Sequence, residues 1–83
     1  MDGIINKILS MIEDIQPYIE FDNTSKLLEQ EILDSVSVLL LVQEIEDEFN
    51  ITIEIEEVNG KNFESVLTVS ELVKTKLENN IKS

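Results

Sequence analysis

Neither histidine nor cysteine occurs among the 83 residues, which removes most routes by which side chains of so short a chain could do chemistry. A serine nucleophile has no imidazole or thiolate neighbour from which the usual triads are built. Without cysteine there is no disulfide framework and no thiolate zinc site. Eighteen Asp and Glu supply carboxylate pairs in plenty, but a glycosidase-type pair must straddle a substrate cleft. A domain this size buries only about two thirds of its unfolded surface and has little material for one. The segments beginning at Asp22 and Asp47 lack the ligand spacing and sixth-position glycine of a calcium loop. Gly3 and Gly60 are the only glycines, so no phosphate loop can form. No metal site and no catalytic constellation are expected. What remains is one hydroxyl in a suggestive place, within Leu33-Asp34-Ser35-Val36. Ser35 stands at the mouth of the most strongly patterned helix and is expected to be its N-cap, at an exposed helix start. A cap alone contributes about 1 kcal/mol and does no chemistry.

The elements that must position this serine can be read from periodicity. Ile5, Ile8, Ile12 and Ile15, with Met11 beside them, form one apolar stripe of a helix over residues 2–16. Pro17 ends it, because the residue before a proline is driven out of the helical region. A long connection runs from Pro17 to Asp34 through the turn-like Asp22-Asn23-Thr24-Ser25. Its apolar residues Tyr18, Phe21, Leu27, Leu28, Ile32 and Leu33 imply a loop packed down on the core. From Ser35 to Phe49, the residues Val38, Leu41, Val42, Ile45 and Phe49 fall within about 100° of arc on a helical wheel. Val36, Leu39 and Leu40 break that pattern and stand on the polar side. They are either covered by the long loop or form a docking patch, since exposed apolar clusters rimmed by charge mark interfaces.

Ile51-Thr52-Ile53-Glu54-Ile55-Glu56 alternates as a strand would, yet the chain has no second strand to pair with it, and an isolated strand is unstable. It reads instead as an extended connector whose isoleucines plug the core, with a short helical turn around Glu56–Gly60. The last helix starts near Ser65 or Thr68. Thr68 and Glu71 are spaced as a capping box, Val66, Val69, Val73 and Leu77 continue an apolar stripe, and Lys74 and Lys76 complement the dipole toward its end. The expected architecture is all-α: a small four-helix bundle of three main helices and one short one, with a long loop between the first and second helices.

Charge narrows the partners. Eighteen acids stand against six bases, all lysine, for a net −12. From Glu29 to Glu64 eleven acids face the single Lys61, so this stretch carries −10 of the total. Such a surface repels nucleic acid and anionic membranes and attracts basic proteins. No apolar run approaches the roughly 18–20 residues of a membrane span, and the first residues lack the basic region of a secretory signal. The chain reads as a soluble, monomeric, cytoplasmic protein with no nucleic-acid and no membrane partner.

One further pattern joins these observations. Asp34-Ser35-Val36 opens the central helix and is followed, without a gap, by Val38, Leu41, Val42, Ile45 and Glu46-Asp47-Glu48-Phe49. Then come Ile51-x-Ile53, Glu56-Glu57 and Asn62-Phe63-Glu64-Ser65-Val66. In this the sequence resembles the acyl and peptidyl carrier proteins, discrete bacterial ones in particular, well over residues 30–75 and in order and length before that. The resemblance implies a single carrier domain over residues 1–83 that is not an enzyme. It implies that a phosphopantetheinyl transferase moves 4′-phosphopantetheine from coenzyme A to the Ser35 hydroxyl. Acyl or aminoacyl groups, loaded by a ligase, would then ride as thioesters on the thiol of the arm to client synthases or transferases. A chain without cysteine can do thiol chemistry in this way, because the cofactor brings the sulfur.

Fatty-acid carriers usually place acids two and five residues after the serine, where this chain has Ser37 and Leu40. Recognition beside the arm is therefore expected to be more apolar, as in peptidyl carriers or the D-alanyl carriers of teichoic acid modification. Val36, Leu39 and Leu40 would form the patch, and Asp34, Glu46 and Asp47 its charged rim. The rival from another class is an acidic helical binding module without cofactor, in which Ser35 only caps a helix.

Overall fold

The structure, a computed structural model, describes residues 2–82, with the side chains of residues 3–79. Three helices carry the fold: α1 (Asp2–Ile15), α2 (Ser35–Phe49) and α3 (Val66–Lys82), with a one-turn 3-10 helix at Ile55–Glu57. No strand occurs among the described residues, and no described helix is long and apolar enough to cross a membrane. The all-α architecture of three main helices and one short one is the expected one. α1 packs against both α2 and α3, which touch each other less.

Each helix buries the stripe its spacing predicts. In α1, Ile8 and Ile12 are completely buried, and Ile5, Met11 and Ile15 pack against them from the edge. The helix stops ahead of Pro17, whose ring permits no further turn; the last bond of helical type is Gln16 N–H donating to the Ile12 carbonyl at 2.8 Å. In α2, Val38, Leu41, Val42 and Ile45 enter the core and Phe49 is half-buried at its edge. Lys7 of α1 pins this end of α2, pairing with Glu48 at 2.6 Å while its ammonium lies 5.6 Å from the centre of the Phe49 ring. Asn50 then turns the chain out of the helix in the left-handed conformation, φ 56°, which asparagine tolerates better than most residues.

Residues 16–34 contain turns and no helix. Leu27, Ile32 and Leu33 are buried. Leu27 N–H donates to the Glu64 carbonyl at 2.8 Å, and Leu67 N–H to the Asn23 carbonyl at 3.2 Å, so this part of the loop is laced to the start of α3. Packing down is not general, however. Tyr18 is 97% exposed, and Ile19 and Leu28 also face solvent.

The Ile-rich connector follows its expected course in part. Ile51 and Ile53 are buried, whereas Ile55 lies 72% exposed, because the chain has already turned into the 3-10 helix at that residue. This turn starts one residue before the predicted position. It is held by the Glu57 carboxylate, which accepts from Glu54 N–H at 2.9 Å and pairs with Lys76 of α3 at 2.5 Å. α3 is capped otherwise than expected. Ser65 and Thr68, not Thr68 and Glu71, form the reciprocal pair: Ser65 N–H donates to Thr68 Oγ1 at 3.0 Å, and Thr68 N–H to Ser65 Oγ at 3.4 Å. The helix therefore begins at Val66, with Thr68 already in its first turn. Its run to Lys82 leaves Lys74 and Lys76 well short of the C-terminus, so a dipole role is replaced, for Lys76, by the bond to Glu57. Val66, Val69 and Val73 are fully buried, as is Phe63 just before the helix.

Candidate functional site

Asp34 and Ser35 divide the start of α2 between them, and not as the sequence predicts. Asp34 is the N-cap: its backbone is extended (φ −104°, ψ −175°) and its carboxylate accepts from Ser37 N–H at 2.8 Å. Ser35 is already the first helical residue. Both residue types are strong caps, and the sequence assigned the task to the wrong neighbour. As a consequence the Ser35 hydroxyl is left over. Ser35 is exposed, and the polar contacts at this corner run between Asp34 and Ser37. The Ser37 N–H, and after it the Ser37 hydroxyl, holds the Asp34 carboxyl below the usual carboxylate range. A fixed negative charge therefore stands next to Ser35.

The three apolar residues that broke the helical pattern are not covered by the loop. Val36 is 66%, Leu39 55% and Leu40 49% exposed, so they form a face running from the first turn of α2 into its second. Ser37, at one of the positions where an acid was missed, is buried and offers nothing to a partner; Leu40, at the other, is presented. Asp34 and Asp47 are exposed. Glu46 is half-buried, and its Oε2 accepts from the Ile53 N–H at 2.9 Å, so it fastens the connector to α2 with one oxygen and adds only the other to the acidic surface.

Beside Ser35 opens an apolar trough of about 360 Å³. Ser35, Val38 and Leu39 of α2 form one side, Val58, Asn59 and Gly60 the other, and Leu28 and Phe63 complete it. The sequence marked Leu28 only as an apolar residue of the loop and Gly60 only as the end of a short turn, and it did not single out Val58 or Asn59. It takes the folded chain to bring the four to α2. Phe63 was noted only within the run leading to the last helix.

The residues at this corner fit a phosphopantetheine arm. The hydroxyl is exposed and uncommitted, the positive end of the α2 dipole favours a phosphate, and the trough gives an adjacent apolar surface against which a flexible chain can lie. A larger depression near Phe21 shares no residue with this corner.

A comparison with curated proteins found no significant match. The family model described as a phosphopantetheine attachment site matches residues 5–75, which takes in all of α2, the trough and most of α1 and α3. The chain thus belongs to the phosphopantetheine-attachment family, whose domains hold 4′-phosphopantetheine covalently, carry groups on it to other enzymes and are not themselves catalysts.

Proposed function

We propose that Ser35 is the attachment residue and that the chain carries an acyl or aminoacyl group as a thioester on the arm. The observation that carries the assignment is the exposed, uncommitted Ser35 hydroxyl at the start of α2, beside the apolar trough. Within the matched stretch the other serines suit the task less well. Ser37, Ser65 and Ser70 are buried, Ser25 is engaged with Asp22, and Ser10, although exposed, lies in the middle of α1. Ser35 needs no local base, since the phosphopantetheinyl transferase supplies the activation. The cofactor brings the thiol that this chain lacks.

The exposed Val36, Leu39 and Leu40 form the contact surface for the transferase, the loading ligase and the client synthases or transferases, with Asp34, Asp47 and the free oxygen of Glu46 as its acidic rim. An apolar face immediately after the serine favours an aminoacyl cargo, of the kind borne by peptidyl carriers or by D-alanyl carriers of teichoic acid modification, over a fatty-acid one. The cofactor-free binding module is displaced by the family assignment.

The test is an intact mass after incubation with coenzyme A and a broad-specificity transferase. The wild type and Ser10→Ala gain one phosphopantetheine; Ser35→Ala gains none while its helical circular dichroism is unchanged. Modification of Ser35→Ala would move the assignment to another residue.

A further inference from the structure

A depression larger than the trough beside Ser35 lies away from α2, where the end of α1 meets the start of the long loop. It measures about 750 Å³ and is lined by Leu9, Ile19 and Phe21 as apolar surface and by Glu13, Glu20 and Asp22 as acids. Tyr18, 97% exposed, stands between the lining residues Pro17 and Ile19. The Tyr18 side chain contributes nothing to the core, and Ile19 beside it is 38% exposed.

The charge here is uncompensated. Three of the lining residues, Glu13, Glu20 and Asp22, are acids, and none is a lysine. The flanking cations are engaged elsewhere, Lys7 with Glu48 at 2.6 Å and Lys26 with Glu64 at 3.6 Å. An apolar floor inside an acidic rim repels lipid phosphates and nucleic acid. It also disfavours a second copy of this chain, which would bring the same acids. It suits a positively charged protein segment that presents an aliphatic or aromatic side chain between its cations.

We propose that this groove is a second docking surface, for a basic, apolar-tipped segment of a partner protein. It shares no lining residue with the trough beside Ser35 and takes none from α2. A partner seated here leaves Ser35 and the exposed Val36, Leu39 and Leu40 free, so the carrier can be retained by one protein while others act on its cargo. The inference does not depend on the attachment residue, and its test uses none of the modification chemistry.

The test is an amide-shift titration of the full chain with two capped pentapeptides of equal charge, Arg-Leu-Arg-Phe-Lys and Arg-Ser-Arg-Ser-Lys. The first produces saturable shifts centred on Leu9, Ile19 and Phe21; the second binds about tenfold more weakly, for want of the apolar contact. Tyr18→Ser and Ile19→Ser each weaken the first peptide, and Leu39→Ser leaves it unchanged. Tyr18 supports nothing in the fold, so its loss tests the surface and not stability. Shifts centred on α2, equal binding of the two peptides, or indifference to Tyr18→Ser would overturn the proposal. So would concentration-dependent shifts at the groove without peptide, which would make a second copy the occupant.

Discussion

At the N-terminus of α2, capping and presentation fall to separate residues. Asp34 satisfies the helix and Ser35 is free of it. Asp34→Ala should therefore lower the melting temperature by a few degrees, because an N-cap is lost, while Ser35→Ala should leave it nearly unchanged and abolish attachment. A pH series separates the two further. The folded-state pKa of Asp34 is lowered, so the stability it contributes is fully present above the unfolded carboxylate value near 3.8 and is lost as pH falls through the lower folded value. Asp34→Asn keeps a capping oxygen without that titration. The melting temperatures of wild type and Asp34→Asn should converge below pH 3.8; a gap that stays constant down to pH 2 would show that the charge contributes nothing. That the cap belonged to Asp34 was not legible from residue types, since Asp and Ser cap equally well. The extended backbone at residue 34 decides it, and it comes directly after Leu33, whose N–H donates to the Leu27 carbonyl at 3.0 Å.

Among the elements, the stripes of α1, α2 and α3 were legible because a helix that buries one face must repeat its apolar residues with the helical period. The connector between α2 and α3 was legible only in part. Alternation at Ile51, Thr52 and Ile53 correctly implied that both isoleucines are buried, but the pattern continued to Ile55 while the chain did not. What ends it is the Glu57 carboxylate, which accepts from Glu54 N–H and from Lys76, a long-range bond that no local pattern announces. The Asn62 amide extends this fastening by donating to the Glu57 carbonyl at 3.0 Å. Since Val58, Asn59 and Gly60 form one side of the trough, this ion pair also places that side. The side chains of Glu57 and Lys76 are 29% and 21% exposed, which puts the pair above the median surface ion pair in worth. Glu57→Gln should cost about 1 kcal/mol in urea denaturation at pH 7. The hydrogen bond to Lys76, first, and that to Glu54 lower the Glu57 pKa, so the loss should begin to shrink as pH falls below the ordinary value of 4.5 and vanish only once pH has passed below the lower folded value, where the wild-type carboxylate itself protonates. An unchanged urea midpoint at pH 7 would show that the pair is worth nothing.

For the molecule as a whole, charge is the dominant fact. A net −12 repels itself in the folded state and draws in basic partners from a distance, and both effects are screened by salt. Among the described residues, three lysines are spent on ion pairs with Glu48, Glu64 and Glu57, far fewer than the acids described. Stability and association should therefore respond to salt in opposite directions. The melting temperature rises from low to high ionic strength as self-repulsion is screened, while modification by the transferase slows. The residues to test on α2 are Glu44 and Asp47, both exposed. Glu46 is excluded, because its bond to Ile53 N–H would mix a structural effect into the result. Glu44→Lys with Asp47→Lys changes the net charge by +4 without touching the trough or the N-cap. In low salt the double variant should be modified several-fold more slowly than the wild type. Near 1 M salt, where the screening length is about 3 Å, the two rates should meet. A deficit that persists unchanged at high salt would mean that these carboxylates act by short-range contact. Equal rates at low salt would mean that attraction comes from the whole acidic surface, and that α2 has no special share in steering.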